Sequence, residues 1–529
     1  VTTTLLTGGR IYSPSAPDAT AMAVTDGTVV WVGQDGPGRA LHPDAEVVPL
    51  DGAFVTPAFV DAHVHASSAG LRLTGLDLTG CGSLGELLAT IGKHADGEPL
   101  WGHGWDETRW PENRPPTRAE LDEAARGVPV YLSRVDVHSA LATTALLDRA
   151  PGVREAEGWS TDGPLSRAAH HHVRAAARDT ISARRRRDAQ TAFLTHVASL
   201  GVACVHECGG PDIAGADDFA ELLALSGQDL PEVVGYWGER GDAELAVRHR
   251  AFGLGGDLFV DGALGSRTAA LLESYVDDPG NTGALYLDAG AIADHLVTCT
   301  NAGFQAGFHV IGDAAVAEVI EGFACAEKIV GRLALASARH RLEHLEMVTI
   351  EQAAQLGGWG VVASVQPLFD AEWGGTDGMY AQRLGPERGT ALNPYATLAA
   401  SGLVLALGSD APVTPVDPWR TVRAAVHHRT EGAGLSARAA FTAHTRGGWR
   451  AAGVDDGVTG TLTPGAPATY AVWEAGELVA AQQDSRVQRW STDPRSGVPP
   501  LPSLDDENAL PTCLRTVLNG RTIYEGVVR

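Results

Sequence analysis

Two textures alternate along the chain. Near the start, TTLLTGGRIY, AMAVTDGTVVWVGQ and AEVVPLDGAFVTP alternate apolar and polar residues over short runs, the pattern of half-buried strands. Asp26-Gly27 in the second run is a hairpin signal. The tail repeats this texture in GTLTPGAPATYAVWEAG and CLRTVLNGRTIYEG, where Asn519-Gly520 has the chemistry of a two-residue turn. Both ends therefore predict strands, and the economical arrangement is one small β-domain built from 1–52 plus 455–529. The segment 53–454 is then inserted between its halves.

That middle segment alternates short apolar runs with alanine-rich, helix-like stretches, the βα pattern of a parallel sheet. Eight apolar runs end in polar or reactive residues: AFVTPAFVDAHVH, GVACVHE, PEVVGYWG, GDLFVDG, GFQAGFHVIGD, RHRLEHLE, WGVVASVQP and GLVLALGSD. Eight is the strand number of a (β/α)8 barrel. The first and second runs lie too far apart for one crossover helix, so an insertion is expected at about 70–200. Within it, 168–190 (AAHHHVRAAARDTISARRRRDAQ) predicts a solvated helix face.

Chemistry concentrates at the ends of these runs. His63 and His65 are two apart on a strand, so they share a face, and at the C-terminal end of a barrel strand that face is the mouth. Taken alone, packing explains two such histidines as well as chelation does. However, His206, His309, His344 and Asp410 close other runs in the same way. Imidazole and carboxylate are ligand types for a hydrolytic zinc site. A divalent ion there lowers the pKa of its water to roughly 7. Asp410 is placed to accept the proton and return it to a leaving amine.

Composition narrows the partners. The 529 residues include 65 acidic and 40 basic side chains, a formal charge of −25, which argues against nucleic acid or an anionic membrane. No run of roughly 18 apolar residues offers a membrane span. The first residues lack the pattern of a signal peptide. Six scattered cysteines read as reduced thiols, so a cytoplasmic location is expected.

VTPAFVDAHVH, WGHGWDETRWPENRPPTRAELD, LFVDGALGSRTAALLESYVDDPGNTG, FHVIGDAA, RLEHLE, LALGSDAPVTPVDPW and GTLTPGAPATYAVWE follow one another in an order that resembles the amidohydrolase superfamily. Within it the chain is most similar to the family 3 branch, which includes N-substituted formamide deformylases. The resemblance implies an α/β fold: a TIM-like (β/α)8 barrel with a composite β-sandwich from both termini. It also implies a metal-dependent hydrolase that cleaves a non-peptide C–N bond (amide, formamide or cyclic amide) of a small molecule, with a homodimer as the expected assembly. Carried over residue by residue, His63, His65 and Asp410 resemble the ligands of one metal, and His309 and His344 those of a second.

The sequence departs from the family where many relatives carry a carbamylated lysine that bridges the metals, because here that position is Asp257. Three readings stay open. Asp257 ligates directly if the backbone lies closer; Glu207 or Cys208 bridges instead; or a single zinc is held by His63, His65, Asp410 and one of His309 or His344. The expectation is one firmly held Zn2+, with one or two divalent ions allowed.

Around this core, His344 and His206 are candidates to hold the developing oxyanion, and Asp313 to fix the His309 tautomer. Arg267 is a candidate partner for an anionic substrate group. Trp101, Trp105 and Trp110 are candidate pocket walls. Asp136 and His138 match the family's insertion motif as substrate contacts. Two other functions stand beside this one: hydrolytic deamination of an aminoheterocycle, and a non-catalytic barrel that binds a small molecule.

Overall fold

The computed structural model describes residues 2–479 and 499–526. Eight parallel strands form a nearly closed barrel: β1 Phe59–Val64, β2 Val202–Gly209, β3 Glu232–Trp237, β4 Gly253–Leu254, β5 Gln305–Val310, β6 Arg341–His344, β7 Val362–Val365 and β8 Val404–Leu407. Helices cover the outside and side chains fill the inside, so strands such as VACVHECG are buried at every position. The first and last strands meet at the mouth, where the Asp410 N–H donates to His63 O and the His65 N–H to Ala411 O, each at 2.8 Å.

The fourth strand differs from expectation. It is Gly253–Leu254 rather than GDLFVDG, and a single bridge, Phe259 to His309, continues the pairing beyond it. Glycine is the reason. A Cβ on Gly255 would stand 2.4 Å from the Gly307 Cα, and Gly256 has φ +73° with its backbone against Cys208. Without side chains at 255, 256 and 307, the backbone presses onto β5 and β2 and then leaves the ladder. That inward step carries Asp257 over the mouth.

The chain between β1 and β2 builds a separate layer. Helix Ala66–Thr74 leads into a five-stranded sheet of Leu76–Asp77, Leu100–Trp105, Val130–Arg134, Ser139–Ala142 and Leu165–Ser166. The run 168–190 is solvated only in part, with 182–184 and 187–188 exposed and one face of each helix buried. Helix Arg167–Arg178 buries Ala169, His170, Val173 and Arg174, and helix Ala183–Ser199 buries Ala189 and Gln190. An arginine and a histidine on the inner face disguise the first helix as polar. Trp105 and Trp110 lie in the insertion's own core, their indole N–H groups donating to Leu132 O and Cys81 O.

Strands from the two ends of the chain form two further sheets. One joins Thr28–Gly33, Ala21–Thr25, Thr3–Thr7 and Glu46–Pro49; the other joins Arg10–Ile11, Phe54–Pro57, Tyr470–Glu474, Thr512–Leu518 and Arg521–Glu525. Phe54–Pro57, numbered with the barrel in the sequence reading, thus pairs with Tyr470–Glu474 instead. Leu6, Met22, Val55 and Val472 pack together in the core that these strands share. Asp26-Gly27 and Asn519-Gly520 all have positive φ, as two-residue hairpin turns require. Among the described residues, no helix is long and apolar enough to cross a membrane.

Gly255→Ala forces its methyl into the backbone of β5, which cannot yield as a side chain would. We expect a loss of about 1–3 kcal/mol in chemical denaturation. Bound metal should fall with it, because Asp257 is displaced.

Candidate metal centre

Five of the residues named from sequence converge at the mouth, and Asp257 joins them. His63 Nε2 lies 3.4 Å from Asp410 Oδ1 and 3.6 Å from Asp257 Oδ1. His65 Nε2 lies 3.2 Å from Asp410 Oδ1 and 3.1 Å from Asp257 Oδ2. On the far side, His309 Nδ1 is 3.5 Å from Asp257 Oδ1, and the His309 and His344 rings are 4.5 Å apart. Asp257 therefore touches both halves of the cluster. Its short side chain reaches because the backbone has moved inward.

Hydrogen bonds on the outer ring nitrogens aim the inner ones. His63 Nδ1–H donates to Glu343 Oε2 at 2.8 Å, His344 Nδ1–H to Gln366 Oε1 at 2.8 Å, and His309 Nε2–H to Gly262 O at 3.1 Å. A carboxylate or carbonyl oxygen can only accept, so each bond leaves a lone pair on the opposite nitrogen. His344 would face the other way in a regular strand. With φ +71° it turns into the cluster, and Asp410 turns at φ +55°. Such left-handed residues cost about 1–3 kcal/mol each.

These groups fit a divalent cation. His63 Nε2, His309 Nδ1, Asp257 Oδ1 and Asp410 Oδ1 are buried and have no hydrogen-bond partner. Ligand atoms of His63, His65 and Asp257, of His63, His344 and Asp410, and of Asp257, His309 and His344 form compact trios within 4.8 Å. Burial opposes ionisation of Asp257, but His65, His309 and His63 in their protonated forms hold it well below the usual carboxylate range. Asp410 is likewise lowered, by His63 and His65 against its burial. Two buried carboxylates among imidazole nitrogens in a dry site call for positive charge, from protons on the rings or from a bound cation in their place.

The other candidates are placed differently. His206 lies in mid-strand, where Arg341 Nη1 donates to its Nδ1 at 2.8 Å, so it does not join the converging group. Glu207 accepts the Ala66 N–H at 2.8 Å and is in none of the groups of converging ligand atoms. Cys208 groups with His63 and Glu343, and burial pushes its thiol well above the usual range. Asp313 does not touch His309; it accepts the Leu272 and Ala314 N–H groups. Arg267 makes two bonds to the Asp277 carboxylate.

Two residues were missed as site components. Glu343 holds His63 and is itself gripped by Arg341, whose guanidinium stacks 4.4 Å from the Tyr236 ring. The signal was present in RLEH, where two charges on one face of a buried strand need each other. Asp61 is fully buried and accepts the His63 and Ser409 N–H groups, tying β1 to the end of β8.

Two cavities flank the cluster. One, of about 670 Å³ including its opening to solvent, is lined by His65, Asp257, Trp101, Tyr131, Phe259 and residues of helix Arg167–Arg178. The other, about 390 Å³, is lined by His309, His344 and Asp410 together with Phe369, Trp373, Met379 and Tyr380. His138 borders both, with its ring 5.0 Å from that of His309. Asp136 lines the second cavity, but its carboxylate takes Arg134 and Ser266, pinning the loop after β4 to the insertion.

The model of the amidohydrolase family matches residues 46–524. The chain is 28% identical over 516 residues to "Protein LONG AFTER FAR-RED 3" of Arabidopsis thaliana, covering 88% of this chain and 86% of that one. It is 26% identical over 460 residues to N-substituted formamide deformylase of Arthrobacter pascens, covering 80% and 83%. Among solved structures, an uncharacterized metal-dependent hydrolase from Pyrococcus furiosus superposes with TM-score 0.69 at 26% identity, over 89% of this chain and 98% of that one.

Glu343→Gln keeps the size but removes the charge that orients His63. Metal affinity measured by competition with a chelating dye should fall about 10–100-fold. Stability should fall by about 3–5 kcal/mol, because Arg341 is left buried without its partner.

Proposed function

The chain belongs to the amidohydrolase family, and from that premise we propose that it is a metal-dependent hydrolase cleaving a non-peptide C–N bond of a small molecule. The observation that carries this is the convergence of buried candidate ligand atoms from β1, β5, β6 and the ends of β4 and β8 at the mouth, four of them without a hydrogen-bond partner among the described residues. The name of the formamide deformylase relative supports an amide or formamide as the bond attacked.

In this reading His63, His65, Asp257 and Asp410 hold one ion. His309 and His344 hold a second, with Asp257 shared between them. This reading differs from the single-zinc expectation, and the contact of Asp257 with both halves supports it. Zinc suits the imidazole and carboxylate donors and, when bound, supplies a Lewis acid for the carbonyl and hydroxide near neutral pH. Asp410 takes the proton from the attacking water and delivers it to the departing nitrogen. His138, at the border of the two cavities, is the side chain placed to orient the carbonyl between them. The cavities receive the groups on either side of the scissile bond, and their aromatic walls exclude water from it.

Dialysis against a chelator should abolish release of carboxylate from a panel of N-substituted formamides and anilides, and Zn2+ should restore it. Asp410→Asn should lower kcat about 10²–10⁴-fold. Turnover that survives complete metal removal, or an Asp410→Asn variant with unchanged kcat, contradicts the reading.

A further inference from the structure

Helix Arg167–Arg178 places a charge beside the site that the hydrolytic chemistry does not use. Arg174 is 8% exposed, and among the described residues no carboxylate is ion-paired with it. Its Nη2 donates to Val137 O at 2.6 Å and its Nη1 to Asp212 O at 3.1 Å, with a weaker approach to His170 at 3.4 Å. These contacts all use Nη1 and Nη2, and none is made by Nε among the described residues. Carbonyls satisfy hydrogen bonds but bring no negative charge. The Asp212 carboxylate is largely exposed and lies near His171, at 3.9 Å.

The surroundings add no compensation. Asp257 is the one acidic residue among those lining this cavity, and the cluster engages it. Arg167, on the same wall, is paired with Glu157 at 2.5 Å. Burial and then the nearby Arg174 charge keep His170 well below its ordinary pKa, and the same causes hold His171 at about 4. A buried guanidinium in a chain of net charge −25 would ordinarily meet one of the many available carboxylates. This one instead lines a cavity that ends at His65 and Asp257.

We propose that the cavity under helix Arg167–Arg178 is a subsite for an oxyanion carried by the substrate, a carboxylate or a phosphate-type group, gripped by Arg174. The molecule cleaved at the mouth then bears its negative charge on the insertion side. Its apolar group lies on the other, against Phe369, Trp373 and Met379. Arginine suits this task because its planar fork matches an oxyanion in two parallel bonds. The inference rests on the hydrolase reading above and names the substrate class of the same site.

Calorimetric binding to the zinc-loaded chain tests it with three probes: 4-acetamidobutyrate, 3-acetamidopropylphosphonate and the neutral 4-acetamidobutanol. The wild-type chain should bind at least one of the anions about 10-fold or more tighter than the alcohol, and the stronger anion identifies the source of the oxyanion. Arg174→Met should erase that preference while changing alcohol binding less than about 2-fold, and Arg174→Lys should restore part of it. Equal or weaker binding of both anions by the wild type overturns the proposal, as does a loss in Arg174→Met that is the same for all three probes. If Arg174→Met does not fold, the wild-type comparison decides. Failure to release acetate from any probe counts against the hydrolase reading and leaves the binding contrast intact.

Discussion

Two carboxylates and four imidazoles crowd the barrel mouth, and among the described residues His63 Nε2, His309 Nδ1, Asp257 Oδ1 and Asp410 Oδ1 lack hydrogen-bond partners. A dry arrangement of this kind is unfavourable unless positive charge sits among the groups. The surrounding structure depends on keeping it that way. Glu343, Gln366 and the Gly262 carbonyl take the outer nitrogens of three histidines, so the inner lone pairs cannot turn aside. Asp61 binds the ends of β1 and β8, which supply His63, His65 and Asp410.

Asp257 shows how backbone position compensates for side-chain length. An aspartate is several atoms shorter than a carbamylated lysine, so at an ordinary strand position it would fall short. The glycines at 255, 256 and 307 let the chain collapse inward, and the carboxylate then lies within 3.6 Å of nitrogens from both halves of the cluster. The same collapse cuts β4 to two residues. The irregular strand and the unusual residue therefore have one cause.

Strand-end patterning made the barrel legible in the sequence, because buried parallel strands read as apolar runs that stop at reactive residues. Hairpin chemistry marked turns in the terminal sheets for an equally local reason. His63, His65, His309, His344 and Asp410 could be named together because each closes such a run. Other features resisted reading. His206 closes its run in the same way but sits in mid-strand beside Arg341, and no periodicity distinguishes the two depths. The inner face of helix Arg167–Arg178 carries His170 and Arg174, so its polarity hid its burial. The reach of Asp257 depends on glycines packing across strands, a three-dimensional relation with no local signal.

The insertion brings Arg174 to the cavity on one side of the cluster, while Phe369, Trp373 and Met379 line the cavity on the other. The account as a whole turns on Asp257 as the residue that joins the two halves. Anomalous diffraction at the zinc edge from crystals of the purified, zinc-loaded protein measures this directly. The account predicts two peaks, one about 2.0–2.2 Å from His63, His65 and an Asp257 oxygen and the other between Asp257, His309 and His344. A mouth without a peak, or one whose peaks leave Asp257 uncoordinated, would contradict it.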